Sequence, residues 1–582
     1  MYLKKTFRKE TGRTYLVIAK KTRDPDTGVY SDTTVESIGY LDELIEKYQD
    51  PISHFKELAR KMTEEEKAGQ KSAMEIDMEE ELPTNFDGWK NFGYAAILKV
   101  YHELELHRFF NNKARHQGFE YNTNSIMTLL VIARVLSPGS KLKAFESKDR
   151  YFERFNFSLH DVYRSLTHFS EIAKDAQRHI NERIATCYGR DTSVVYYDVT
   201  NFYFEIDKED NLRKRGVSKE KKRDPIVQMG LAMDADGLPL HYELFPGNTL
   251  DKQTFRSVIG EVRRNYDTGR IIVVADMGVI TGDNIYYLIG DEKRKKPLNG
   301  YVFGFSVRGG ADSFKQYALD QKGYLDQNGE PATADADFKM KSRLTPREIN
   351  VTMSSGKTET KTVHEKQVVF WSRKYADKAK AEREAVIRKA MAMVNEPRKY
   401  NQASSYGATK YVKNMEFDKK TGEALLSDKI LCLDGDKIRE EELFDGYYSI
   451  ATSEMGMSDQ EIIDAYRGLW EIEETFSVVK GDLGARPVFV SLEDHINAHF
   501  LSCFIALVIM RILQKQTGRR FSCERIADCL NRIVCVNTHD NVYRFCYRGE
   551  ISDAIGKAFG VDFTKKWLRL GEIKSEIALS KK

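Results

Sequence analysis

Hydrophobic and polar positions change rhythm several times along the chain, and each change marks an expected element. Between residues 1 and 84 the pattern alternates, in TYLVIA and TTVESIGYL, around the polar turn DPDTG. A period of two predicts strands, so a small β unit is expected first, then a helical stretch from Leu41 to about Gly69 and an acidic linker, EIDMEEELPTN. From 85 to 190 the period becomes helical; IMTLLVIARVL, Ile126 to Leu136, reads as a buried helix stopped by Pro138 and Gly139. Strands return at 193–205, 227–235, 239–245 and 270–275, and the middle pair reads as a hairpin turning at Asp236 and Gly237. The pieces YVFGFSV, KQVVFWS, KILCLDG and YYSIAT are strand-like and surround one charged helix, KYADKAKAEREAVIRKAMAMV. After Glu473 the pattern is helical to about 531, and residues 532–582 carry no readable functional pattern.

Against this pattern three acids stand out. Asp198 sits inside the strand-like run SVVYYDVTNFYFE, and Asp276 ends the apolar run RIIVVAD. Carboxylates are ordinarily kept out of such strands, because burying an unpaired charge costs several kcal/mol. Glu473 lies between Tyr466 and Lys480 at seven-residue intervals in YRGLWEIEETFSVVK. Seven residues are about two helical turns, roughly 20° short of alignment, so one helix would point all three the same way, with Trp470 and Ser477. Leu469, Ile472, Phe476 and Val479 fall on the opposite side, available for burial. Taken alone, a charged helix face is ordinarily a solvated surface and a single strand Asp a satisfied structural residue. Three carboxylates brought together repel one another, and a divalent metal is the usual relief.

With these residues in place the chain resembles the DDE transposases of bacterial insertion sequences. It is most similar to the insertion-sequence-four superfamily, with its Tyr-x2-Arg-x3-Glu-x6-Lys signature. Asp198 in YYDVTNFYFE, Asp276 in VVADMG and Glu473 stand at the three acidic positions of that family, with Tyr466 and Lys480 at its offsets. The signature's Arg falls on Leu469, which puts that phosphate contact in doubt; Arg467 lies about 160° away around a helix. ARVLSPGSK, LFDGYYSIATSE and RPVFVSLEDHINAHF, with Arg486 and His499, also resemble segments of the family.

The resemblance implies an α/β fold with an RNase H-like catalytic core at 191–276 and 456–531. A mainly β insertion domain at 277–455 would interrupt it. N-terminal β (1–84) and helical (85–190) domains would precede it, both candidates for DNA binding, with a helical C-terminal region and a tail at 532–582. It implies Asp198, Asp276 and Glu473 as catalytic metal ligands for two Mg²⁺ ions, with Mn²⁺ as a substitute. Tyr466 and Lys480 would contact a phosphate at the transposon end. Trp470 could stack on an unpaired base or belong to the core. The basic segment RKRGVSKEKKR offers Lys219, Lys221, Lys222 and Arg223 as phosphate contacts, or is a solvated loop. The expected partners are double-stranded DNA, at transposon ends and target, and a second copy of the chain. His499 reads equally well as a structural helix histidine.

Composition adds limits. The 582 residues call for several structural units. With 91 basic and 88 acidic residues the net charge is only +3, so a DNA surface must come from local clustering. Seven cysteines without a C-x-x-C pair argue against a disulfide framework or zinc module and for a reducing, cytoplasmic setting. The N-terminus has no secretory pattern, and the apolar run Phe500–Leu513 is too short for a membrane span. Two other function classes stay open: a catalytically silent DNA-binding remnant or regulator, and an RNase H-like nuclease.

Overall fold

The computed structural model describes residues 1–23, 30–67, 79, 81, 84, 87–206, 208–216, 224–266, 268–290, 298–353, 355–395, 406–414, 416–417, 424–425, 431–539 and 541–582. The chain divides into two compact units, Met1–Phe86 and Asp87–Lys582. The first is an antiparallel sheet of β1 (Tyr2–Arg8), β2 (Arg13–Arg23) and β3 (Tyr30–Tyr40), followed by α1 (Leu41–Ile45) and α2 (Pro51–Lys67). Leu16, Leu44 and Phe55 form its small core.

The second unit opens with β4 (Trp89–Asn91) and six helices: α3 (Tyr94–Glu103), α4 (Leu106–Ala114), α5 (Thr123–Leu136), α6 (Lys141–Glu146), α7 (Leu159–Glu171) and α8 (Ala173–Tyr188). Asn122 starts α5 by accepting a hydrogen bond from the Ser125 amide at 3.0 Å, and α5 is almost wholly buried. Its uninterrupted apolar run has no polar face to offer solvent, so neighbours must cover every side.

An eight-stranded sheet follows. In chain order its strands are β5 (Val194–Tyr203), β6 (Ile226–Met233), β7 (Pro239–Pro246), β8 (Ile272–Ala275), β9 (Gly300–Phe305), β10 (Phe338–Thr352) and β11 (Thr358–Ser372). The short pairs β12 (Val412–Asn414) with β15 (Leu431–Leu433), and β13 (Glu416–Phe417) with β14 (Ala424–Leu425), stand outside it; β16 (Tyr447–Thr452) rejoins it. The spatial order is β10-β11-β16-β9-β8-β5-β6-β7. β5, β6 and β7 form an antiparallel meander, while β5, β8 and β9 run parallel. The parallel steps cross over through α9 (Asp251–Asn265) and α10 (Gly282–Ile289).

This topology changes the expected layout. The segment 277–455 was expected as a separate mainly β domain, yet four of its strands extend the core sheet. A buried charge network ties them in: Glu365 of β11, fully buried, accepts from Arg347 of β10 at 2.8 and 2.9 Å and from the Tyr301 hydroxyl of β9 at 2.9 Å. Helices α11 (Asp312–Leu319) and α12 (Arg373–Asn395) pack on this extension. Residues 87–582, expected as several domains, form one compact unit.

Each face of the sheet has its own core. Val195, Tyr197, Val199, Val273 and Ala275 face α9 and α10. Tyr196, Phe202 and Val274 face the helical side, whose centre is Glu493–Gln516. Among the described residues this is the one helix long and apolar enough to cross a membrane, and it is almost entirely buried inside the protein. In the tail, β17 (Val534–His539), β18 (Val542–Phe545) and β19 (Trp567–Arg569) join β4 in a four-stranded antiparallel sheet.

Candidate active site

Parallel register brings the two aspartates together. β5 and β8 pair Val194 with Ile272 and, step by step, Tyr197 with Ala275. Asp198 and Asp276 are the next residues along, so Asp198, in the middle of β5, lies beside Asp276, just past the end of β8. Side chains alternate along a strand. Tyr197 points toward α9, where its hydroxyl meets Thr254 Oγ1 at 2.5 Å, so Asp198 shares the opposite face with Tyr196. Asp198 is half-buried and its Oδ1 accepts from the Val199 amide at 2.7 Å. Asp276 is exposed; its Oδ1 accepts from the Met277 amide at 2.7 Å and so caps the short turn Met277–Val279.

Two helices cross that same face. The first, Asp459–Arg467, begins in a capping box in which Ser458 and Glu461 exchange side-chain and backbone bonds. The second, Trp470–Lys480, carries Glu473. The expected single helix is therefore broken at Gly468 and Leu469. Gly468 presses on Tyr196, and a Cβ there would stand 2.1 Å from the Tyr196 hydroxyl. The second helix buries Ile472, Phe476 and Val479 as its pattern predicts, with Leu469 half-buried beside them.

Tyr466 and Lys480 reach different places, because fourteen residues of helix rise about 21 Å. The half-buried Tyr466 donates from its hydroxyl to Asp276 Oδ1 at 3.1 Å. Burial, the Asp276 charge and that bond all push its pKa up, and Glu473 adds to the same effect, so both carboxylates bear on one hydroxyl. Room for this arrangement comes from Gly304 in β9. A Cβ at Gly304 would lie 2.3 Å from the Tyr466 hydroxyl and 3.2 Å from Asp276 Oδ1. Lys480 instead lies over the Phe202 ring at 5.6 Å, and Arg486 over Tyr203 at 5.6 Å, both at the far end of β5. Glu473 is exposed, and Trp470 is 57% exposed, which removes Trp470 from the core. Arg467 lies over Phe338 and pairs with Asp464 at 3.4 Å. The basic residues Lys219, Lys221, Lys222 and Arg223 lie outside the described residues.

Among the described residues no three His, Cys, Asp or Glu side chains close into a group that would hold a metal ion. The donor set nevertheless suits one: Asp198 and Asp276 are adjacent hard oxygen donors, and Glu473 is exposed on the helix pair crossing their face.

Behind the second helix lies a buried cationic cluster that sequence reading did not find. Arg134 donates to the carbonyls of Leu483 (3.2 Å), Gly484 (3.0 Å) and Gly139 (3.1 Å), clamping the loop that leads to Arg486. His499 donates from Nε2 to the Ala485 carbonyl at 3.0 Å and accepts at Nδ1 from Lys141 at 3.3 Å. All three are buried. Burial together with the Arg134 charge pulls the Lys141 ammonium down to about 7, and burial holds His499 well below its ordinary value. His499 is therefore a structural residue. Gly304 was also missed, although a glycine inside YVFGFSV is the usual signal of a close backbone approach.

A solved structure described as the Mos1 transposase paired-end complex with left transposon end matches 41% of this chain and 67% of that one, at 12% identity and a TM-score of 0.11. No curated protein matches the chain. The family model described as the transposase DDE domain matches residues 190–509, more than half of the 582. That span holds both aspartate strands, the hairpin between them and the helix of Glu473, and on it the chain belongs to the transposase DDE domain family.

Proposed function

We propose that the chain is an active transposase of the insertion-sequence-four branch. On this reading it binds the terminal inverted repeats of its element, cuts the DNA there, and joins the freed end to target DNA, working as a homodimer in the cytoplasm. The observation that carries the reading is the side-by-side placement of Asp198 and Asp276 on parallel strands, with the helices of Tyr466 and Glu473 laid across the same face. An antiparallel three-strand meander continued by two parallel strands supports an RNase H-like core.

Asp198, Asp276 and Glu473 would hold the divalent metal, Mg²⁺ or Mn²⁺. When bound, such an ion lowers the pKa of a water and neutralises charge on the phosphate under attack. Tyr466 orients the Asp276 carboxylate through its hydroxyl. Lys480 and Arg486, spread along the end of β5, are placed to take DNA phosphates. They take over from the signature Arg, whose position is filled by the half-buried Leu469. Trp470, exposed one residue further on, is available to an unpaired base.

The test is cleavage by the purified full chain of labelled duplexes carrying the terminal repeats that flank its gene, with Mg²⁺. Nicking at the repeat ends and joining to a second duplex are expected. Degradation indifferent to the repeats would make it a nuclease, and tight binding without cleavage a silent remnant.

A further inference from the structure

The small sheet of β4, β17, β18 and β19 turns one face to the core through Cys535, Tyr543 and Phe545. Its outer face carries a transverse row fixed by the strand register: Trp89 opposite Val536, Val536 opposite Arg544, Arg544 opposite Trp567. Both tryptophans are exposed, Trp89 at 50% and Trp567 at 44%. At ordinary strand spacing three steps set them about 14 Å apart. The Arg544 guanidinium between them lies 5.9 Å from the Trp567 ring. Arg569 is exposed on the same face, and Lys565 and Lys566 are exposed in the segment that enters β19. None of these four cationic side chains forms an ion pair among the described residues; the Glu572 carboxylate beside Arg569 accepts its backbone amide at 2.9 Å. Beside Trp89, a cavity of about 260 Å³ opens between Asp87, Asn91, Ser137, Arg150, Tyr151 and Asn531, with Arg150 paired to Asp87 at 3.2 Å.

Two exposed tryptophans in one row with an exposed arginine between them form a patch rather than scattered surface residues. A protein partner would have to bring carboxylates to these four cations and apolar surface to both rings, because cations buried unpaired are costly. A duplex has its bases already stacked on one another and gives the rings little to hold. An unpaired nucleic-acid strand matches both features, bases to rings and phosphates to guanidinium groups. We infer that this outer face binds single-stranded DNA, with bases stacked on Trp89 and Trp567 and backbone phosphates held by Arg544 and Arg569. The inference rests on the transposase reading for the source of the strand.

The test is fluorescence anisotropy on the full chain in EDTA, with a labelled thymidine homopolymer and, separately, a duplex carrying the terminal repeat. The double variant Trp89→Ala/Trp567→Ala is expected to lose at least about tenfold in single-strand affinity, with the duplex unaffected. Trp89→Phe/Trp567→Phe, which keeps the rings and guards against misfolding, is expected to retain binding. Arg544→Gln is expected to flatten the salt dependence of single-strand binding. Unchanged single-strand affinity, or an equal loss for duplex, would overturn the inference. So would loss of a dimer in sedimentation with DNA affinity intact, which would make this a protein-docking face. Binding of the homopolymer by a wild-type chain that never nicks terminal repeats would defeat the transposase reading and leave this one standing.

Discussion

The Tyr466 hydroxyl donates to Asp276 Oδ1 at 3.1 Å, across 190 residues of sequence. The contact exists because Gly304 leaves out a side chain where Tyr466 and Asp276 meet. It gives the Tyr466 hydroxyl a carboxylate partner, beside the DNA phosphate that the family resemblance implies for it.

Tyr466→Phe should therefore lower cleavage by about 10–100-fold, the range for groups that orient metal ligands. Gly304→Ala, with Tyr466 intact, should act in the same direction. Metal affinity followed by calorimetry separates this role from DNA contact. If both variants cleave normally and bind metal as the wild type does, the Tyr466–Asp276 bond does not position the carboxylate.

Asp198→Ala, Asp276→Ala and Glu473→Ala should each abolish cleavage while leaving terminal-repeat binding largely intact. EDTA should do the same to the wild type. Removing a carboxylate takes away a metal ligand but not the distant DNA contacts. Cleavage assays paired with gel-shift titrations read both quantities, and substantial Mg²⁺-dependent cutting by any of the three would remove that residue from the site.

Lys141 gives the stability a pH dependence. In the unfolded chain the lysine titrates near 10.5, but folded it titrates at about 7. Between those values the unfolded state binds the extra proton, so stability rises with pH across the window. Below about 7 the ammonium is charged in both states, and the burial penalty is fully present. Lys141→Met should flatten the rise in thermal midpoint between pH 7 and 10. An equally steep profile in the variant would assign the effect to other groups.

Arg190 and Asp234 form a buried ion pair, 2.8 Å apart, at the base of the β6–β7 hairpin. Arg190 also donates to the carbonyls of Leu238 and Pro239, and Asp234 accepts the Asp236 and Leu238 amides. Desolvation raises the pKa of Asp234 and lowers that of Arg190, each toward its neutral form. Arg190→Ala should destabilise the protein by about 3–5 kcal/mol, because Asp234 would be left buried and unpaired. Urea unfolding measures this; a loss under about 1 kcal/mol would mean that Asp234 is readily protonated or hydrated.

What the sequence determined was local. Acids inside apolar strands, the hairpin glycine at 237, the apolar run of α5 and the buried stripe of Ile472, Phe476 and Val479 were legible because each follows from neighbours within a few residues. Gly237 does take the left-handed conformation that the turn requires, with φ +67°. What only the tertiary structure decided depends on strand register and on contacts distant in sequence. Heptad spacing aligned Tyr466, Glu473 and Lys480 on one helix, but the chain turns at Gly468 and Leu469, and the partners, Asp276 for the tyrosine and Phe202 for the lysine, come from strands distant in sequence. A strand pattern names its own two faces but not its neighbours, so β10, β11 and β16 read as an insertion until their hydrogen bonds placed them in the core sheet. The row from Trp89 to Trp567 joins residues nearly five hundred apart, and no local pattern carries that pairing.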